Sequence, residues 1–355
     1  MDTVKKSSND VPEEMNAVNG NDLVIADAES SKGHHRRVKS AVAANDFIQR
    51  YALVGIWIIL IIVLTAFDGG KFFNRGTFVS IFGSQQPLIF LTIALVIVLT
   101  IGELDLSVAS IMGLSATIVA VLAGKDGVNI WLACGIALLA GTASGVINGL
   151  IVVIAGVSAI IVTLGMGTLL LGVAYALTNF NTVGGLTSGF AQITLHPVLG
   201  LPMAFYYGIA LACIGWYVIK HTPTGRRMTF IGVDSEVVRL AGVRVGLIRF
   251  GSFVASGVIC GLGGIIYVAG LGGYDPSSSS AFILPAFAGA FLGTAVLERG
   301  RFNTFGSIIA IYFLVTGITG LELLGVSEWI QDVFYGGALI IAVTISTLVR
   351  KGRIK

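Results

Sequence analysis

From Tyr51 to Val349 the sequence is a series of largely apolar runs, and the charges between them collect almost entirely on one side of that series. Mean hydropathy is +0.90 and charged residues make up 12%. A chain this poor in polar surface is expected in a bilayer. Ten runs read as spanning helices, roughly 51–67, 87–101, 107–123, 128–154, 158–177, 205–219, 250–270, 283–297, 305–321 and 333–348. A hydrocarbon core of about 30 Å takes roughly 20 helical residues, so the shorter runs must borrow interfacial residues or lie partly inside the bundle. The expected fold class is an all-α membrane protein of about ten transmembrane helices.

Lys and Arg set the orientation. With a cytoplasmic N-terminus, ten crossings put on the cytoplasmic side the basic residues of the first 50 positions, those of the 220–249 connection, Arg299 and Arg301, and the cluster from Arg350 to Lys355. Only Lys71, Arg75 and Lys125 stay outside, the bias expected of inside loops. Both termini are therefore expected in the cytoplasm. The net charge of +3 then reflects membrane orientation, and no nucleic-acid surface is read from it.

Residues 1–46 are polar, with several carboxylates and the cluster His34-His35-Arg36-Arg37, and hold too little apolar surface to fold. They read as a disordered cytoplasmic tail, too long and too acidic for a secretory signal, ahead of a membrane domain at 47–355. Cys134, Cys213 and Cys260 sit singly in apolar runs with no CxxC pair, which speaks against disulfide, metal or redox roles.

Three stretches carry more specific information. Glycine accounts for 47 of 355 residues, and Gly141, Gly145 and Gly149, like Gly257 and Gly261, recur every four positions. Each set lays a smooth stripe along a helix for close contact with another. Second, Glu103 and Asp105 interrupt an otherwise nearly continuous apolar text from Pro87 to Ala123. Acids at membrane depth mark a cavity or pathway, and in that reading Glu103, Asp105, Ser107, Asn148 and Thr163 are candidates for a translocation path. In the other, Asp105 or Ser107 caps the helix that follows a tight cytoplasmic turn. Both remain open from sequence.

The third stretch is the long cytoplasmic connection 220–249. Asp234 suits an N-cap, Glu236 the first turn, Arg239 the last turn and Gly242 the position just beyond, which together specify about two turns of helix. So short a helix needs something to dock against. On the other side of the membrane, Tyr274, Asp275 and Ser277 to Ser280 offer polar groups for a transient partner or form an ordinary solvated loop. No GxxxxGK[ST] loop occurs, so the chain cannot hold ATP in that way.

GELDLSVAS, AIIVTLGMGTLLLGVAY at 159–175, TPTGRRMTFIGVDSEVVRLAGV and FILPAFAGAFLGTAVLERGRFNTFGS at 282–307 occur in that order. Together they resemble the permease subunits of bacterial ABC importers for monosaccharides, the ribose, xylose and arabinose permease family. The likeness extends from about Tyr51 to Arg350. It implies a pair of permeases in the cytoplasmic (inner) membrane, cytoplasmic ATPase subunits that bind the ATP, a soluble sugar-binding protein outside, and no cofactor or catalysis in this chain. It also implies coupling to the ATPase through Gly225, Arg226, Gly232, Asp234, Glu236, Arg239 and Gly242. Glu103, Asp234 and the Val237-Val238 pair depart from the family pattern, which has glycine, often asparagine, and two alanines there. Ribose, xylose, arabinose, galactose, a polyol or a signalling sugar all remain open as cargo.

Two other classes compete. An ion-gradient-driven secondary transporter would want charges deep in the bundle, for which only Glu103 and Asp105 qualify. An intramembrane enzyme would want a nucleophile and base, yet His196 and His221 have no carboxylate partners within a helix.

Overall fold

All ten apolar runs are helical in the computed structural model, which describes residues 50–67, 72–298 and 300–352. The tail expected at 1–46 lies outside the described residues, as do Lys71 and Arg299. The helices are α1 (Arg50–Phe67), α2 (Arg75–Gly83), α3 (Gln86–Thr100), α4 (Val108–Val119), α5 (Ile130–Ile154), α6 (Ala159–Thr178), α7 (Ser188–Leu195), α8 (Met203–His221), α9 (Pro223–Val233), α10 (Ser235–Leu240), α11 (Val245–Leu271), α12 (Ile283–Gly293), α13 (Thr304–Leu323) and α14 (Trp329–Gly352). Among the described residues, 8 stretches are long and apolar enough to cross a membrane: α1, α2 with α3, α4 with its π-helical continuation Ala120–Lys125, α5, α6, α8, α11 and α13. The apolar part of α14, Trp329–Thr344, is shorter.

Helix α3 is apolar on every side because every side is covered. It lies among α8, α11, α12 and α13, and Ile89, Leu91, Ile93, Leu95 and Val98 are fully buried. At the periphery, α1 turns Ile56, Ile58, Ile59 and Ile62 outward, and α5 does the same with Trp131, Leu132 and Leu139. In a bilayer these large apolar side chains meet lipid rather than water.

The glycine stripes meet each other. Helix α11 packs along α5, and a Cβ on Gly141 would stand 2.9 Å from the Gly257 carbonyl oxygen and 3.0 Å from Gly261 Cα. A Cβ on Gly257 would in turn stand 2.5 Å from the Gly141 carbonyl oxygen. The two backbones approach so closely that no side chain fits between them, which is how helices gain contact where lipid supplies no hydrophobic drive.

Helix α12 departs from expectation. The run at 283–297 stays helical only to Gly293, 11 residues or about 16 Å at 1.5 Å per residue, roughly half the hydrocarbon thickness. Asn303 joins its end to the next helix. The side-chain amide donates to the carbonyls of Gly293 and Val296, each at 3.1 Å, while its Oδ1 accepts from the N–H of Gly306 at 2.6 Å and so caps α13. A single buried side chain thus adds a hydrogen bond to two carbonyls of the turn after α12, which also accept the N–H groups of Val296 and Glu298, and gives a partner to a loose N–H of the next helix.

On the side assigned to the exterior, β1 (Val183–Gly184) pairs antiparallel with β4 (Gly273–Tyr274), and β2 (Pro197–Val198) with β3 (Leu201–Pro202). Asp275 lies between β4 and a 3-10 turn, Pro276–Phe282. It accepts from the Ser277 hydroxyl at 2.7 Å, the Ser277 N–H at 2.9 Å and the Thr182 hydroxyl at 3.3 Å. These bonds, the Ser277 hydroxyl first, hold its carboxyl below the usual range. Ser277 and Ser280 are exposed, whereas Tyr274 and Ser279 are buried. Tyr274 is therefore part of the packing and not of an adaptable outer surface, and its burial pushes the phenol pKa up.

Candidate functional site

The turn between α3 and α4 is held by partners from helices far away in sequence. Asp105, Ser107, Asn148 and Thr163 are all at most 1% exposed, and they cluster. Ser107 donates its N–H at 3.0 Å and its hydroxyl at 2.5 Å to Asp105 Oδ1. Asn148 on α5 donates to the Ser107 hydroxyl at 2.9 Å. Thr163 on α6 accepts the N–H of Leu106 at 3.0 Å and donates to its own helix at Ala159. One member was missed from sequence: Ser256 on α11 donates to Asp105 Oδ2 at 3.0 Å. Asn148 Oδ1 is buried with no partner among the described residues.

This geometry bears on the two readings of Asp105. Its bond to the N–H two residues on forms an Asx turn leading into α4, while Ser107, at the N-cap position, bonds no backbone N–H of that helix. Asp105 is thus more than a cap, since its second oxygen binds a different helix. Burial pushes the carboxyl up from its ordinary value, against the hydrogen bonds from Ser107 and Ser256.

Glu103 lies apart from that cluster and forms an ion pair with Arg249. The run at 250–270 begins earlier than expected, at Val245, so Arg249 belongs to α11 rather than to the cytoplasmic connection. Between the two acids, the turn fastens to a single face of one helix, through Arg249 and, seven positions later, Ser256.

The connection 220–249 holds two helices where one was expected. Helix α9 starts at a Thr-Pro step: Pro223 is the first residue, and the Thr222 hydroxyl accepts the N–H of Gly225 at 3.1 Å. That Thr-Pro pair is a helix-start signal, and it lay in plain sight in the sequence. Gly225 is buried at the sharp bend from α8, where a Cβ would strike the carbonyls of Val218 and Ile219. Arg226 points to the exposed side. Met228 and Ile231 bury α9 against Ile101. At Gly232 the chain presses on the acidic turn, whose Gly102 (φ +83) would carry a Cβ only 3.4 Å from Gly232 Cα.

Helix α10 has the ends that its sequence specifies. Asp234 Oδ1 accepts the N–H groups of Glu236 at 3.0 Å and Val237 at 3.2 Å, and Gly242 has φ +80, a conformation that suits glycine. Glu236 and Arg239 pair with each other at 2.5 Å. Both are solvent-exposed, so the pair contributes little to stability. No residue of α10 is buried, and an apolar surface stands open across both helices: Phe230, Val233 (81% exposed), Val237 and Leu240 (84% exposed).

A family model described as branched-chain amino acid transport system / permease component matches residues 77–343. The chain is similar to the D-allose transport system permease protein AlsC of Escherichia coli (strain K12), 30% identical over 301 residues that cover 79% of this chain and 92% of that protein. It is 29% identical over 302 residues to the ribose import permease protein RbsC of the same strain, covering 84% and 93%. To the autoinducer 2 import system permease protein LsrC of Photorhabdus laumondii it is 30% identical over 276 residues, covering 78% and 82%. No solved structure matches.

Proposed function

This chain belongs to the branched-chain amino acid transport system / permease component family, and from that premise we propose that it is the membrane-spanning subunit of an ATP-driven importer. It lies in the bacterial cytoplasmic membrane with both termini inside, works as one of a pair, and passes a monosaccharide or related solute handed over by an external binding protein. The family description names amino acids, but two of the relatives are named for D-allose and ribose and a third for autoinducer 2, which supports the sugar class. The chain's role is transport rather than catalysis, and ATP is bound by a partner subunit.

The observation that carries this reading is the open apolar surface of α9 and α10. Large apolar side chains facing lipid are ordinary, but this surface follows the basic end of α8 on the side where Lys and Arg concentrate, and there it needs a protein partner. In this reading a groove of the ATPase receives α10, and Gly225, Gly232 and Gly242 fix the hairpin's shape. Asp234, Glu236, Arg239 and Arg226 set its caps and charge. Closure of the ATPase around ATP then shifts the hairpin as a unit. Asp105, Ser107, Asn148 and Thr163 brace the cytoplasmic end of the path, and Glu103 ties that brace to α11.

The reading is tested in vesicles containing the permease and its ATPase, with the binding protein outside. ATP should drive uptake of ribose or allose. Uptake driven by a proton or sodium gradient without the ATPase overturns the mechanism, and uptake of leucine in place of either sugar overturns the solute class. A second expectation concerns the docking surface. Leu240→Asp puts a charge on the most exposed apolar residue of α10 and touches no residue of the core, so the permease should purify normally while ATPase co-purification falls about tenfold, the 1.4 kcal/mol equivalent. Full co-purification would remove α10 from the interface.

A further inference from the structure

A polar cavity of about 380 Å³ lies where the α9–α10 hairpin meets the acidic turn, lined by Glu103, Ile231, Gly232, Asp234, Ser235 and Arg249 among others. Its position is unusual in two respects. The hairpin bears directly on the turn at Gly102 and Gly232, where a Cβ on Gly232 would strike the carbonyl of Thr100, so any shift of the hairpin is felt there sterically. Yet beside that hard contact the cavity leaves room for the hairpin to move.

The charges around the cavity are two carboxylates and one guanidinium. Arg249 binds Glu103 through one terminal nitrogen, while its Nε is buried and has no partner among the described residues. Asp234, which lines the same cavity, uses one oxygen to cap α10. No hydrogen bond to its second oxygen is found among the described residues. A buried donor without an acceptor, next to a carboxylate with one oxygen spare, describes a contact that is incomplete in this arrangement and can be completed in another.

Resting on the coupling reading above, we propose that Arg249 is a movable positioning contact, held by Glu103 in the arrangement seen here and engaging Asp234 when ATPase closure drives the hairpin into the cavity. Because Arg249 sits on α11 two turns before Ser256, which holds Asp105, the exchange passes the movement of a cytoplasmic hairpin to a membrane-spanning helix and to the brace at the end of the path. The element has two arrangements and a force that selects between them, as transmission between sites requires.

The test compares Glu103→Gln, Asp234→Asn and the exchange Glu103→Arg with Arg249→Glu. Each is made in the full chain and assembled with the ATPase and binding protein, with ribose and allose as probes. Asparagine caps a helix about as well as aspartate, so Asp234→Asn removes charge and leaves α10 intact. Sugar taken up per ATP hydrolysed should fall about tenfold in both single variants, within the range typical of coupling between sites. Glu103→Gln should still retain the ATPase on purification. The exchange restores the Glu103–Arg249 pair but turns a carboxylate toward Asp234, so it should stay about as defective as the single variants. If Asp234→Asn transports at the wild-type ratio, or if the exchange restores that ratio, the pair is a static bridge and the relay is wrong. Loss of the ATPase from Glu103→Gln also overturns it, because the defect would then lie in docking. Wild-type vesicles whose uptake runs on a proton or sodium gradient without the ATPase, or that take up leucine in place of either sugar, overturn the parent reading, a result distinct from all of these.

Discussion

Gly145→Leu is expected to leave little folded protein in the membrane. The residue sits where α5 crosses α11, and a Cβ there would strike the carbonyl of Phe253 and lie 3.2 Å from Gly257 Cα. Overpacking of a well-filled core costs about 1–3 kcal/mol when side chains can shift aside. Here the obstacle is backbone on a helix that also carries Arg249 and Ser256, so the cost should reach the upper end, about 3 kcal/mol. Thermal melting in detergent and the yield of extractable protein give the readout. Gly165→Leu is the matched control, because nothing stands within 4 Å of a Cβ at that position on α6, and it should melt like the wild type. Equal melting of the two variants would mean that α5 and α11 do not touch along their glycines.

Asp105 offers the second large effect, and two substitutions separate its roles. Asp105→Ala strands the Ser107 and Ser256 donors in a buried cluster, at about 1–3 kcal/mol for each group left unsatisfied, and should fold poorly. Asp105→Asn keeps the size and the acceptor for Ser107, but it puts an amide N–H₂ where Oδ2 accepts from Ser256. That variant should insert and melt within about 1 kcal/mol of the wild type, yet take up sugar about tenfold more slowly, because the tie from the turn to α11 is altered where movement must pass. Wild-type uptake by Asp105→Asn would reduce Asp105 to a turn-forming residue.

Much of the architecture could be read from residues close together in sequence. Runs of apolar side chains fix where helices cross, since the bilayer imposes one length and one solvent on all of them. Gly141, Gly145, Gly257 and Gly261 announced a close contact, and their spacing was enough to name both helices. Asp234 and Gly242 bounded α10 because a cap is a local bargain between a side chain and the next few N–H groups. Helix α9 is equally local in its Thr222-Pro223 start, but its mixed composition resembles a loop.

The site itself was only half legible. Glu103 and Asp105 stood out as acids among apolar residues, but their partners are 146 and 151 positions away. Nothing in the spacing of Arg249 or Ser256 points back to the turn. Arg249 was concealed further by its charge, which made it look like part of a cytoplasmic connection when it lies in the second turn of α11. Burial of a polar cluster depends on which helices are neighbours, and that is a property of the assembled bundle.

The short α12 and its Asn303 join have a consequence for how the protein is made. Eleven residues are too few to cross the hydrocarbon alone, and the turn that ends α12 gains the Asn303 amide on the carbonyls of Gly293 and Val296 only when that residue arrives. Synthesis reaches Asn303 only as α13 begins. The two helices are therefore expected to enter as one hairpin packed on α3 and α8, so the last fifth of the chain depends for its insertion on helices made before it.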